Sequence, residues 1–321
     1  MKRSLTERHV GLMERLLRLR QLVAFQEMTD TELTVIANNV DEVDFEPGAV
    51  IVRQGNRIDR LTVVVEGSID VLIGGTPATH LDELRVDLGS LTMLARYNAR
   101  FQIEATSPLR TLVIEYERLM EVMEDNFNVF SKVLGGLAQH AIDIYCLLNI
   151  DFRAPEKTRQ TPEWIAVGDR QMDIVERILV LRQVPTFARS SLAAVALYAN
   201  LLEDVRFPAG TVLWSESEPC YHYLHVVRGT VRGQISDKTT SLLFGSPAMP
   251  GFFSAITETG DHWYTAVADT DVVALKADRN ALPDVLEDNV EMAGLFLTLI
   301  ARRLVRFLEI RAHHRANHDG V

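Results

Sequence analysis

His222 and His225 are the pair that most invites a metal reading, because imidazole nitrogens ligate zinc and its neighbours readily. The run "CYHYLHVV" around them predicts a strand, and residues three apart on a strand point to opposite faces. Two partly exposed histidines are expected instead. His314 and His318 have helical i, i+4 spacing, but no third ligand lies near them, and a frayed tail is expected there. Cys146 and Cys220 are too few for a disulfide framework and point to a reducing, cytosolic setting. No nucleophile elbow, P-loop or paired-carboxylate motif occurs. The expectation is therefore a non-enzymatic, cytoplasmic chain with no metal and no cofactor.

Composition narrows the class further. The chain has 321 residues, 47% of them hydrophobic and 24% charged, with a net charge of −11. That is enough apolar material for real cores and enough length for two domains. The acidic balance argues against a nucleic-acid partner over the whole surface. The N-terminus "MKRSLTERHVGLMERLL" is basic without an apolar core of its own, so no signal peptide is expected. No apolar run has the length of a membrane span.

The elements that would position any site occur twice. "FEPGAVIVRQG", from Phe45, recurs in worn form as "FPAGTVLWSES", from Phe207. A shift of 162 positions brings Gly48 onto Gly210 (210 − 48 = 162). The same shift aligns Phe25 with Phe187, Phe45 with Phe207, Val65 with Val227, Gly67 with Gly229 and Gly89 with Gly251. A register kept over so many positions makes each copy a domain rather than a solenoid repeat.

Each copy has the same order. Helices come first: "SLTERHVGLMERLLRL" opens with Ser4 and Glu7 at capping-box spacing, and Thr29 and Glu32 repeat that signature. Valine-rich runs broken by Pro47-Gly48, Gly55 and Gly67 then predict a small barrel or sandwich. Helices close each copy; in the first, a long one runs from about Asn126 to Leu148. "DFRAPEKTRQTPEW" is polar, with two prolines, and reads as a linker. The expected organisation is residues 1–150 as one domain, 151–168 as linker, 169–310 as the second domain and 311–321 as a tail. The fold class is α+β, mainly β, with two helix-flanked β-rolls.

These features resemble the cyclic nucleotide-binding domain. Phe45, Pro47, Gly48, Val50, Ile51, Gly55, Val65, Gly67 and Gly89 carry the match in copy one, and Phe207, Gly210, Val212, Val227, Gly229 and Gly251 carry it in copy two. The tandem arrangement looks like the regulatory subunit of the cyclic-AMP-dependent kinase, although no "R-R-x-S/A" pseudosubstrate segment is recognisable. Neither roll is followed by a helix-turn-helix.

The resemblance implies a phosphate cassette of the form F-G-E-L-A-L-x-x-x-x-P-R-A-A-T-V. A short helix after the glycine turns free backbone N–H groups to the anion. The arginine makes a charge-assisted contact with the phosphate, and the glutamate accepts from the ribose hydroxyl. Copy one reads "LGSLTMLARYNARFQIEAT". Gly89 is kept, Ser90 stands at the glutamate position, Leu91 follows it, and counting puts Ala99 at the arginine position with Arg96 and Arg100 nearby. Copy two reads "PGFFSAITETGDHWYTAVA", with Phe252 and Phe253 after Gly251 and Asp261 at the arginine position. Losing one partner of a partly buried ion pair costs roughly 3–5 kcal/mol, or about two to three and a half decades of affinity. A degenerate pocket is expected in copy two, and in copy one as well, where Arg100 is the residue that favours a ligand.

The expected function is a regulatory adaptor that holds a protein partner; the alternative is a receptor for cyclic AMP, cyclic GMP or a relative in copy one, with no nucleotide in copy two. The stripe Phe130, Leu134, Leu137, Ile144, Leu147 reads either as intrachain core or as a homodimer seam. Gly135-Gly136 inside it predicts a kink or a close helix approach.

Overall fold

The computed structural model describes residues 9–82, 88–148, 151–153, 170–239 and 241–318. These form two compact units: Met1–Leu137 with Ile300–Val305, and Ala138–Leu299 with Arg306–Val321. Each is a β-roll with flanking helices, as the repeat predicts. Most of the expected linker, residues 154–168, lies outside the described residues, as does the Ser4–Glu7 pair.

In the first unit α1 (Leu12–Leu19) starts from Gly11, and α2 (Asp30–Ala37) starts from Thr29, whose side chain and Glu32 form the expected capping box. The roll has two antiparallel sheets. One has the order β1 (Asp41–Phe45), β7 (Leu109–Glu115), β3 (Arg60–Glu66). The other runs β2 (Val50–Val52), β6 (Gln102–Ala105), β4 (Ser68–Ile73), β5 (Thr76–Asp82). The short helix α3 (Ser90–Leu94) lies between β5 and β6, and α4 (Tyr116–Asp125) and α5 (Phe127–Leu147) close the copy. Same-face apolar residues of β3 and β7 (Leu61, Val63, Leu112, Ile114) are buried, which is what holds the sheets together.

The second unit repeats this plan. A two-residue strand β8 (Phe152–Arg153) comes first, followed by α6 (Ile174–Leu181), α7 (Pro185–Arg189) and α8 (Leu192–Asn200). One sheet has the order β11 (His222–Arg228), β15 (Val272–Asp278), β9 (Glu203–Phe207). The other runs β10 (Val212–Trp214), β14 (Thr265–Ala268), β12 (Thr230–Gln234), β13 (Ser241–Gly245), with β8 added in parallel on β13. The short helix α9 (Phe252–Ile256) precedes β14, and α10 (Ala281–Glu287) and α11 (Val290–His318) end the chain. Residues 311–318 are therefore helical, where a frayed tail was expected. The rolls share even their irregularities: β2 and β10 shift register at matching positions, as do β3 and β11.

The 162-residue register does not hold to the end. It relates α3 to α9 (252 − 90 = 162), but β6 and β14 are 163 apart (265 − 102 = 163). Copy two therefore carries one extra residue between α9 and β14, inside the cassette.

Gly67 and Gly229 follow β3 and β11 at φ 108° and 90°. A Cβ there would lie 2.5 Å from Pro108 O and 2.2 Å from Asp271 O, and backbone cannot yield to it cheaply. Gly229→Ala combines this clash with left-handed strain. It is expected to cost at least about 2 kcal/mol of stability, read as a lowered urea midpoint.

Phe130, Leu134, Leu137 and Ile144 are buried, whereas Leu147 is exposed, so most of the stripe is intrachain core. A Cβ on Gly136 would sit 3.7 Å from the carbonyls of Val23 and Ala24, which is the close approach that the Gly-Gly pair predicted.

Candidate functional site

In roll 1, Gly89 caps α3 in the left-handed conformation at φ 94°. A side chain there would strike Ile58 Cδ1 at 2.6 Å. Ser90 is buried, Leu91 half-buried, and Met93 and Leu94 anchor the helix in the core. The helix ends at Arg96, a non-glycine residue at φ 56°. That conformation costs an L-residue roughly 1–2 kcal/mol. It carries the guanidinium over the Tyr116 ring, 3.8 Å from the centroid, a cation–π contact that offsets part of the cost. Arg96 Nη1 is buried with no hydrogen-bond partner among the described residues.

Arg302 lies on α11, in the segment Ile300–Val305 that belongs to this unit. Its Nε donates to Ala95 O at 2.8 Å, satisfying a carbonyl at the C-terminus of α3. Its guanidinium sits 5.2 Å from the Tyr97 ring centroid. Ala99, the arginine position by motif count, is buried and tied by its backbone: its N–H donates to Asn56 O and its carbonyl accepts from Gly55 N–H, both at 2.8 Å. Arg100 is exposed. The cassette residues Gly89, Ser90, Leu91, Arg96, Ala99 and Arg100 thus form one continuous stretch, and among them Arg96 is the cation the fold turns inward. Sequence reasoning missed Tyr116 and Arg302, which reach the cassette from the start of α4 and from α11, some two hundred positions away.

Roll 2 is built differently at the same place. Gly251 again caps the short helix, at φ 84°. Its N–H donates to the Tyr264 hydroxyl at 2.8 Å, so this donor is already occupied from within. Tyr264 is fully buried, and burial pushes its phenol well above the usual range. Trp214 stacks on His262 at 4.4 Å and meets Tyr264 edge-on at 5.9 Å. Gly233 makes room for this packing, since a Cβ there would lie 2.7 Å from the Tyr264 ring. Phe252 is buried against Tyr223 and Phe296, at 5.5 and 5.7 Å, while Phe253 is half-buried.

The extra residue corrects the motif count for Asp261. Asn98 bridges Arg57 in roll 1, and Asp261 bridges Pro219 in roll 2, so Asp261 matches Asn98. The residue matching Ala99 is His262, whose N–H donates to Glu218 O at 2.8 Å as that of Ala99 does to Asn56 O. Asp261 is exposed, and the inward position holds a buried imidazole. Burial, with His222 nearby, lowers its pKa to about 4.

Arg279, just beyond β15, donates through Nε to Ala255 O at 2.9 Å and through Nη2 to Thr257 O at 2.7 Å. It caps the C-terminus of α9. A Cβ on Gly260 would lie 1.9 Å from Arg279 Nη1, so the glycine makes space for the guanidinium. The nearest sequence signal was that glycine.

His225 is buried rather than partly exposed. Its Nε2 meets the Tyr198 hydroxyl at 2.6 Å, and Tyr198 meets Tyr223 at 2.6 Å. Burial lowers its pKa to about 3, so the imidazole is neutral in this network. His222, on the opposite side of β11, lies edge-on to Trp214. Among the described residues no group of three or more His, Cys, Asp or Glu could hold a metal ion, and no helix is long and apolar enough to cross a membrane. The side chains of His314 and His318 lie outside the described set.

No family model matches the chain. Over 131 residues it is 30% identical to the CRP-like cAMP-activated global transcriptional regulator of two Mycobacterium tuberculosis strains. The match covers 40% of this chain and 58% of the regulator's length. Among solved structures, the regulatory subunit of a cAMP-independent protein kinase A from Trypanosoma brucei is 16% identical, over 90% of this chain and 89% of that one, with a TM-score of 0.34. A cyclic nucleotide-binding-like protein from Brucella abortus is also 16% identical, over 35% of this chain and 98% of its own, with a TM-score of 0.33. Over those 131 residues the chain is similar to a CRP-like regulator, and each of its two units holds a helix-flanked β-roll.

Proposed function

We propose that this protein is a non-enzymatic regulatory adaptor of the cytosol, in which roll 2 is a scaffold that takes no nucleotide and presents the chain to a protein partner. The observation that carries this reading is the interior of roll 2. Trp214, His262 and Tyr264 fill the space beside the cassette, and the Gly251 N–H is bonded to Tyr264. A ligand entering there would have to expel stacked rings and break a buried hydrogen bond. Both cysteines are free thiols, which suits a reducing compartment. Burial pushes each thiol up to about 11, so neither favours the reactive thiolate.

A second reading is supported in roll 1. Arg96 has a buried, unpartnered Nη1 at the end of the cassette helix. A phosphate would supply the acceptor it lacks. In that case the adaptor is also a receptor, and ligand on roll 1 controls the partner.

Calorimetric titration of the full chain with cyclic AMP and cyclic GMP tests both readings. At most one equivalent is expected to bind, and Arg96→Ala should then weaken it by roughly tenfold to a hundredfold, the loss of one charged hydrogen bond. Two equivalents of bound nucleotide would overturn the scaffold role of roll 2.

A further inference from the structure

Two loops meet at one end of each roll. In roll 1 they are residues 53–57 and 95–100, joined by the Gly55 N–H to Ala99 O and Ala99 N–H to Asn56 O bonds, both 2.8 Å, and by the Arg57–Asn98 bridge. In roll 2 they are residues 215–219 and 257–262, joined by Ser217 N–H to His262 O at 2.7 Å, His262 N–H to Glu218 O at 2.8 Å, and the Pro219–Asp261 bridge. The backbone scaffolds are the same. The charges are opposite.

The roll 1 loops read "RQGNR" and "ARYNAR". Arg53, Arg57 and Arg100 are exposed, Arg96 is half-buried behind them, and neither loop has an acid. Among the described residues Arg53 and Arg57 have no ion-pair partner. The roll 2 loops read "SESEP" and "TETGDH". Glu218, Glu258 and Asp261 are exposed, and Glu216 is half-buried. The whole chain carries −11. A basic rim in such a chain is a local reversal of its field, and fields of this kind concentrate ligands of opposite charge. Guanidinium groups pair with phosphate oxygens through two parallel hydrogen bonds. Tyr97, 38% exposed, adds an aromatic ring between Arg96 and Arg100 on which a base can stack.

We propose that the two-loop rim of roll 1 is a binding site for a nucleotide carrying two or more phosphates, and that the acidic rim of roll 2 excludes the same ligand. Several arginines call for more than one negative charge, and the ring calls for a base rather than a bare phosphate chain. The site shares the loop 95–100 with the cassette but adds Arg53 and Arg57, which lie outside the cassette, and it does not require that a cyclic nucleotide enter either roll.

The test titrates the full chain with ATP and with inorganic tripolyphosphate, at about 50 mM and about 200 mM salt. One equivalent of each should bind, more weakly at the higher salt. The double variant Arg53→Gln, Arg57→Gln should raise both dissociation constants at least about tenfold. Both residues are exposed loop positions, so an unchanged melting temperature is expected and confirms that the fold survives. Tyr97→Ala should weaken ATP and leave tripolyphosphate unchanged. A cyclic AMP titration of the double variant should match the parent, which separates the contribution of Arg53 and Arg57 from that of the shared cassette loop. Absence of saturable binding at millimolar probe, binding undiminished in the double variant, or a second equivalent lost on Glu218→Gln, Asp261→Asn would each overturn the proposal. So would salt-sensitive association between copies that the double variant abolishes while ATP fails to bind, since the rim would then be a contact for a second copy's acidic loops.

Discussion

Phe187→Ala is expected to remove about 3–5 kcal/mol of stability, the range for deleting a fully enclosed aromatic ring. Phe187 is completely buried on α7 and joins three elements of the second unit. It stacks on Tyr198 of α8 at 5.2 Å, meets Phe296 of α11 edge-on at 5.2 Å, and tilts against His225 of β11 at 5.8 Å. Removing it takes away the apolar area and leaves a hole beside the Tyr198–Tyr223–His225 network, whose hydrogen bonds depend on fixed rings. Trp214 and Trp263 both lie in the second unit, so their fluorescence reports its unfolding in urea. Phe187→Leu, which keeps more of the volume, should cost markedly less. A loss below about 1 kcal/mol for the alanine variant would mean that the cluster collapses to fill the site and is not a rigid core.

Acid should destabilise the second unit well before its carboxylates are titrated. Two buried histidines are responsible. His225 has its pKa lowered to about 3, and His262 to about 4, in both cases chiefly because burial disfavours the charged form. In the unfolded chain each returns to about 6.5. Between the folded and unfolded values the unfolded state binds more protons, so stability is fully present above about pH 6.5 and falls as pH drops below it. At pH 5 the contribution of His225 alone amounts to about 2 kcal/mol, and His262 acts in the same direction. Urea midpoints measured from pH 7.5 down to pH 5 should decline accordingly, and His225→Leu should flatten part of that slope. A midpoint unchanged over this range would show that the imidazoles reach water or find an acceptor on protonation.

Much of the architecture was legible in the chain itself. Glycines at 48, 67, 210 and 229 mark turns with positive φ, which side chains rarely adopt, so their spacing shows where strands begin and end without any contact information. The Thr29–Glu32 box and the valine-rich runs are local signals for the same reason: caps and alternation are decided by neighbours in sequence. The repeat then doubled every signal.

The site was less legible. Motif counting placed Asp261 at the arginine position because one added residue in a loop changes no local pattern; the pairing of Pro219 with Asp261 reveals it only in three dimensions. His225 looked half-exposed because strand periodicity tells which face a residue takes, not what covers that face, and Tyr198 and Phe187 arrive from other helices.

Turns, caps and apolar periodicity are properties of adjacent residues, so the chain alone specifies a pair of helix-flanked β-rolls, each with a glycine-led short helix. What fills the space beside each short helix is settled in three dimensions. Arg96 on Tyr116 and Arg302 on Ala95 O in the first roll, and Tyr264, His262 and Arg279 in the second, are contacts made across elements. Long-range packing, not local preference, sets which side chain fills a given space.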